Sequence, residues 1–97
     1  MGLESVVKVV ATAGTALPLT AARTICSAYI VRAMEDNAGN AYVGGTAGKD
    51  IDNTVGDLQP GESISWQGGM GESEDLNQIY VDVDTGGEGV DIWYVPA

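Results

Sequence analysis

Acids supply most of the side chains in this sequence that could do chemistry. Fourteen Asp and Glu stand against four Lys and Arg, and His is absent. Without His the usual general base and the commonest metal ligand are missing. Paired carboxylates remain to be weighed, because a glycosidase needs two of them flanking a sugar cleft. Asp82 and Asp91 face each other if residues 79–95 form a hairpin. Directly opposed like charges are destabilising unless something neutralises them. Three readings stay open: solvated surface acids, a site for a cation or a partner's lysine, and catalysis. The calcium reading also touches Asp36, Asn37 and Asn40, but the alternating spacing of a calcium loop is absent.

Other chemical signals are weaker. Gly44 to Asp50 resembles a phosphate loop in outline only. The spacing from Gly44 to Gly48 is one residue short, and Asp50 stands where a Ser or Thr would hold magnesium. No Gly-x-Ser-x-Gly elbow is present. Cys26 is the lone cysteine, so no intrachain disulfide can form, and its apolar neighbours favour a buried, inert thiol. The sequence therefore predicts no enzyme and no cofactor or metal.

The elements that would position these residues read as short strands. Fourteen glycines and an excess of valine favour strands and tight turns over helices. Strands are predicted at Ser5 to Ala13, Ala16 to Leu19, Thr24 to Ala33, Ala41 to Val43 and Ser63 to Trp66, and two more within Ile79 to Val95. Pro18 confines the second to a sheet edge. Ala41 to Val43 is read as a hairpin partner of the third strand. Pro60 and Gly61 occupy type II turn positions, Gly44 to Asn53 forms a polar loop with Ile51 as an anchor into the core, and Gln67 to Asp75 forms a mobile glycine-rich loop. Asp75 to Gln78 reads as one helical turn. The expected fold is a single all-β domain over residues 1–97, an antiparallel sandwich or jelly-roll-like barrel of seven or eight short strands.

In the last segment a glycine-rich connection joins two runs of β-branched and aromatic residues. A four-residue loop would pair Val83 with Val90, Val81 with Ile92 and Ile79 with Tyr94 on a core face. The same register sets Tyr80 beside Trp93 on the other face, where Tyr and Trp commonly mark an interface. A core role for these aromatics, with Trp66 and Tyr42, is the competing reading. Residues 5–13 and 24–33 each offer two apolar faces, more than one small core can cover. The candidate interface therefore comprises Tyr80, Trp93, Val7, Val9 and Tyr29. A homo-oligomer follows, with a trimer preferred.

The net charge of −10 is unevenly placed. Residues 1–34 hold Lys8, Arg23 and Arg32 against Glu4, a balance of +2, whereas residues 35–97 hold Lys49 against thirteen acids, a balance of −12. Such a surface repels phosphate backbones and anionic lipid, so neither nucleic acid nor membrane is an expected partner. The start, Met1 to Ser5, lacks the basic and apolar regions of a signal peptide, which implies synthesis in a cytoplasm.

Three segments carry a resemblance. The opening Met1-Gly2-Leu3-Glu4-Ser5-Val6-Val7-Lys8, the turn Leu58-x-Pro60-Gly61-Glu62-Ser63, and the ending Asp75 to Asp84 with Gly86-x-Glu88-Gly89-Val90 are similar to small phage head decoration, or cement, proteins. The resemblance covers roughly a third of the chain and is most specific at the C-terminal stretch. It implies an all-β virion protein on the capsid outer surface, made in the host cytoplasm, with the major capsid protein and itself as partners. It brings no catalytic residues. The alternative is a carbohydrate- or host-surface-binding β-module on a virion or cell.

Overall fold

The computed structural model describes residues 3–44 and 57–97. The chain folds as two antiparallel β-sheets facing across one core. Its strands in order are β1 (Glu4–Val10), β2 (Leu17–Pro18), β3 (Ile25–Ala33), β4 (Ala41–Gly44), β5 (Asp57–Leu58), β6 (Ser63–Gln67), β7 (Glu74–Asp75), β8 (Tyr80–Val83) and β9 (Glu88–Pro96). One sheet has the order β1-β9-β3-β6, with β7 also paired to β3; the other has the order β2-β8-β4-β5. Leaving β7 aside, the pairs nest: β1 with β9, β2 with β8, β3 with β6, and β4 with β5. That is a double strand rolled upon itself, the jelly-roll arrangement. The predicted loop Gly44 to Asn53 and its anchor Ile51 lie outside the described residues except for Gly44, which ends β4.

Nesting overturns two predicted hairpins. β8 and β9 belong to opposite sheets, as do β3 and β4. Val81 pairs with Leu17 and Val43, while Ile92 pairs with Val6 and Val31. The inward alternation nevertheless stands: Val81, Val83, Val90 and Ile92 are all buried, and Tyr94 packs against them. They meet across the core instead of side by side. A period of two fixes which face a side chain takes, and is silent about the neighbouring strand.

Local signals are well matched. Pro18 lies in edge strand β2. Gly61 has φ +87°, and the Glu62 amide donates to the Gln59 carbonyl at 2.9 Å, as a type II turn requires. Leu76–Gln78 forms a 3-10 turn capped by Asp75, whose carboxylate accepts from the Asn77 amide. The loop predicted over Gln67 to Asp75 ends in β7, which pairs with Ile25 and Cys26. Among the described residues no helix is long and apolar enough to cross a membrane.

The turn between β3 and β4 is pinned to the start of β9 by side chains. Asn37 is buried; its Nδ2 donates to the Gly89 carbonyl at 2.9 Å, and its Oδ1 accepts from the Gly89 amide at 3.4 Å. Glu88 accepts from the amides of Ala38 and Gly39. Gly89 also passes directly against β1, where an added Cβ would meet the Lys8 carbonyl oxygen and the Val9 Cα. Backbone on backbone cannot yield cheaply. Gly89→Ala is therefore expected to destabilise the fold by about 1–3 kcal/mol, read as a lower urea midpoint. An unchanged midpoint would mean that β1 shifts freely.

Candidate functional site

The outer face of the β1-β9-β3-β6 sheet is the unusual surface of this molecule. Register sets Ser5, Trp93, Ile30 and Ser65 in one row across it, and Val7, Asp91, Arg32 and Ser63 in the next. Val9 and Gly89 extend it at one end, Val95, Ala28 and Gln67 at the other. Leu3 continues the outward alternation of β1 and lines a groove of about 280 Å³ with Ile30, Trp93 and Val95. Leu3, Val7, Val9 and Ile30 are exposed by 63, 61, 46 and 43%, and all four lie on this face. Clustering of that kind is rare on a protein that meets nothing.

Charge on the face is neutralised locally. The Arg32 Nη2 donates to Asp91 Oδ2 at 3.1 Å, and the guanidinium carbon lies 5.3 Å from the centre of the Trp93 ring. Glu35 sits at the rim, 3.8 Å from Arg32 Nη1 and largely exposed. Such half-exposed contacts add about 0–1 kcal/mol each to stability. Pairing Arg32 with Asp91 beside Trp93 leaves this face without net charge, on a chain of net −10.

The five residues singled out from sequence do not share one surface. Trp93, Val7 and Val9 lie together on this outer face. Tyr80 is on the outer face of the opposite sheet, paired with Pro18 and Gly44, so the expected Tyr80–Trp93 pair is corrected. Tyr29 points inward, packs against the core and stacks on Trp66 with ring centres 5.7 Å apart. Leu3, Ile30 and Arg32 complete the face and were not singled out. The alternation of residues 24–33 already placed Ile30 and Arg32 opposite Tyr29, but gave no sign of which side was covered.

The carboxylate pair is also taken apart. Asp82 lies across from Tyr42 in the second sheet, and its Oδ1 accepts from the amides of Gly14 and Val83 at 2.9 and 2.8 Å. Asp91 pairs with Arg32 in the first sheet. No group of three or more His, Cys, Asp or Glu converges among the described residues. Among the described residues several turn acids accept backbone N–H groups, as Asp75 does from Thr24 and Asp84 from Asn40.

Cys26 is fully buried, and burial, then the nearby Glu74 carboxylate, push its thiol above the ordinary value of 9.0. Burial likewise raises the Tyr29 hydroxyl above 10.0. Both groups stay protonated longer when folded, so their contribution is intact below the unfolded values and is lost as pH rises through the folded ones. The urea midpoint is expected to fall between about pH 8 and pH 10.5, and to fall less steeply in Cys26→Ala. A midpoint that rises with pH in this window would contradict the burial of both groups.

Comparison with known proteins returned no matching family model, no matching curated protein and no matching solved structure.

Proposed function

We propose that this chain is a virion structural protein that decorates and stabilises a phage capsid by bridging neighbouring major capsid proteins. The outer face of the β1-β9-β3-β6 sheet is the docking surface in this reading. One observation carries the binding role: four exposed apolar side chains share with Trp93 a face with no net charge, while the chain bears −10. Selection for solubility alone would scatter such residues. The capsid as partner rests on the resemblance of the opening, the Pro60-Gly61 turn and the C-terminal stretch. A jelly roll is compatible with this role, but it serves capsid and lectin domains alike and does not choose between them.

The reading makes attachment apolar. Residues of the N-terminal third supply Leu3, Val7, Val9, Ile30 and Arg32 to the face, while the acids concentrate in the turns. Acidic turns directed to solvent give the particle a negative coat and add little to attachment.

A carbohydrate- or host-surface-binding module is the second reading, favoured by the groove beside Trp93, which Ser65 and Gln67 also line. A glycan screen separates the two. Against sugar stacking, the Arg32 guanidinium already lies over the Trp93 ring.

Trp93→Ala and Val7→Glu are each expected to weaken retention on purified capsids by about 2 kcal/mol or more, roughly thirtyfold, while the thermal melt of the free protein changes little. Loss of fold in both variants, or retention equal to the parent, would overturn the assignment of the face. Retention of the parent should change only weakly between about 50 mM and 1 M salt. Release at high salt would instead place the acidic turns on basic capsid residues.

A further inference from the structure

We propose that β1 is a self-pairing edge: two copies of the chain join β1 to β1, antiparallel, about a two-fold axis at Val6. The strand lies at the end of its sheet, with β9 on one side and no strand on the other among the described residues. It is seven residues long, Glu4–Val10, and carries Val6, Val7, Val9 and Val10. Long apolar edges are usually blunted by proline, a bulge or repeated charge. Here the charges are Glu4 and Lys8 alone.

Backbone direction limits how a second strand can add. The Val10 carbonyl accepts from the Gly87 amide, so Val10 turns its backbone groups toward β9. By alternation Lys8, Val6 and Glu4 do the same, and Ser5, Val7 and Val9 present N–H and C=O to the open edge. A two-fold pairing must then centre on a residue of the strand itself. Centring on Ser5 sets Glu4 against Val6, and centring on Val7 sets it against Val10; both leave Lys8 without a carboxylate. Centring on Val6 sets Glu4 directly opposite Lys8 of the second copy, and the symmetry repeats that pair.

Among the described residues neither has an ion-pair partner, the two pairs there both belonging to Arg32. The same register lays Leu3 beside Val9 and Val7 beside Ser5 of the second copy, on the apolar face. Three of the most exposed apolar side chains thereby gain cross-strand neighbours. The docking faces of the two copies become one continuous surface. The other end of the sheet, β6, has no charged residue over Ser63–Gln67, so it offers nothing to Glu4 or Lys8. Pairing like with like closes the assembly at two copies.

The test is made on the full chain without capsid, so its outcome is independent of what the face docks onto. Sedimentation or native mass measurement is expected to give two chains at micromolar concentration. Glu4→Lys and Lys8→Glu should each weaken the dimer about tenfold or more by opposing like charges, and the combined exchange should restore it. Val6→Cys should form an interchain disulfide on mild oxidation, because the two residues would be closely apposed across the axis. A monomer, the trimer expected from sequence, no rescue by the combined exchange, or no Val6→Cys dimer would each overturn the pairing.

Discussion

Strand β9 is the element on which the rest of the structure depends. It lies between β1 and β3, so both of its edges are paired over most of its length. One side of it delivers Val90 and Ile92 to the core with no exposed area, and the other delivers Asp91 and Trp93 to the outer face. Removing water from the first side is what holds the two sheets together. The second side is then fixed by the pleat, since successive side chains must point oppositely. The packed core face therefore fixes where the side chains of the outer face stand.

That dependence gives the distribution of charge a physical reading. The chain is strongly acidic, but many of its carboxylates work as local acceptors: Asp75 caps the 3-10 turn, Asp82 holds Gly14, and Glu88 holds the turn at Ala38 and Gly39. Carboxylates used this way satisfy backbone N–H groups that short turns leave without a ladder partner. They also keep negative charge at the turns that link the sheets. The outer face of the β9 sheet retains one internally neutralised pair, Arg32 with Asp91. Polar satisfaction of the turns and apolar exposure of the face are thus two sides of one arrangement.

Several features were legible in the sequence because they are local. The inward set Val81, Val83, Val90 and Ile92, the edge position of Pro18, the Pro60-Gly61 turn and the capped turn at Asp75 all follow from alternation or from the backbone preference of one or two residues. So does the outward position of Trp93, whereas alternation shows only that Val7 and Val9 share a face. What failed was adjacency. The glycine-rich connection Thr85 to Gly89 suits a hairpin and a corner between sheets equally well, and nothing within it chooses between them.

Only the tertiary structure decided that Tyr80 and Trp93 occupy opposite outer faces, that Asp82 and Asp91 never meet, and that Tyr29 turns toward the core. It also decided that Asn37 fills a buried place beside Gly89, fifty-two residues away in sequence. The reason is the nesting of the pairs, first strand with last and second with next to last. Which strands become neighbours depends on how the whole length closes over one dry layer, a constraint that no window of ten residues contains. The sequence by itself determined which side chains of a strand share a face; the closed core determined which face turns inward and what it meets.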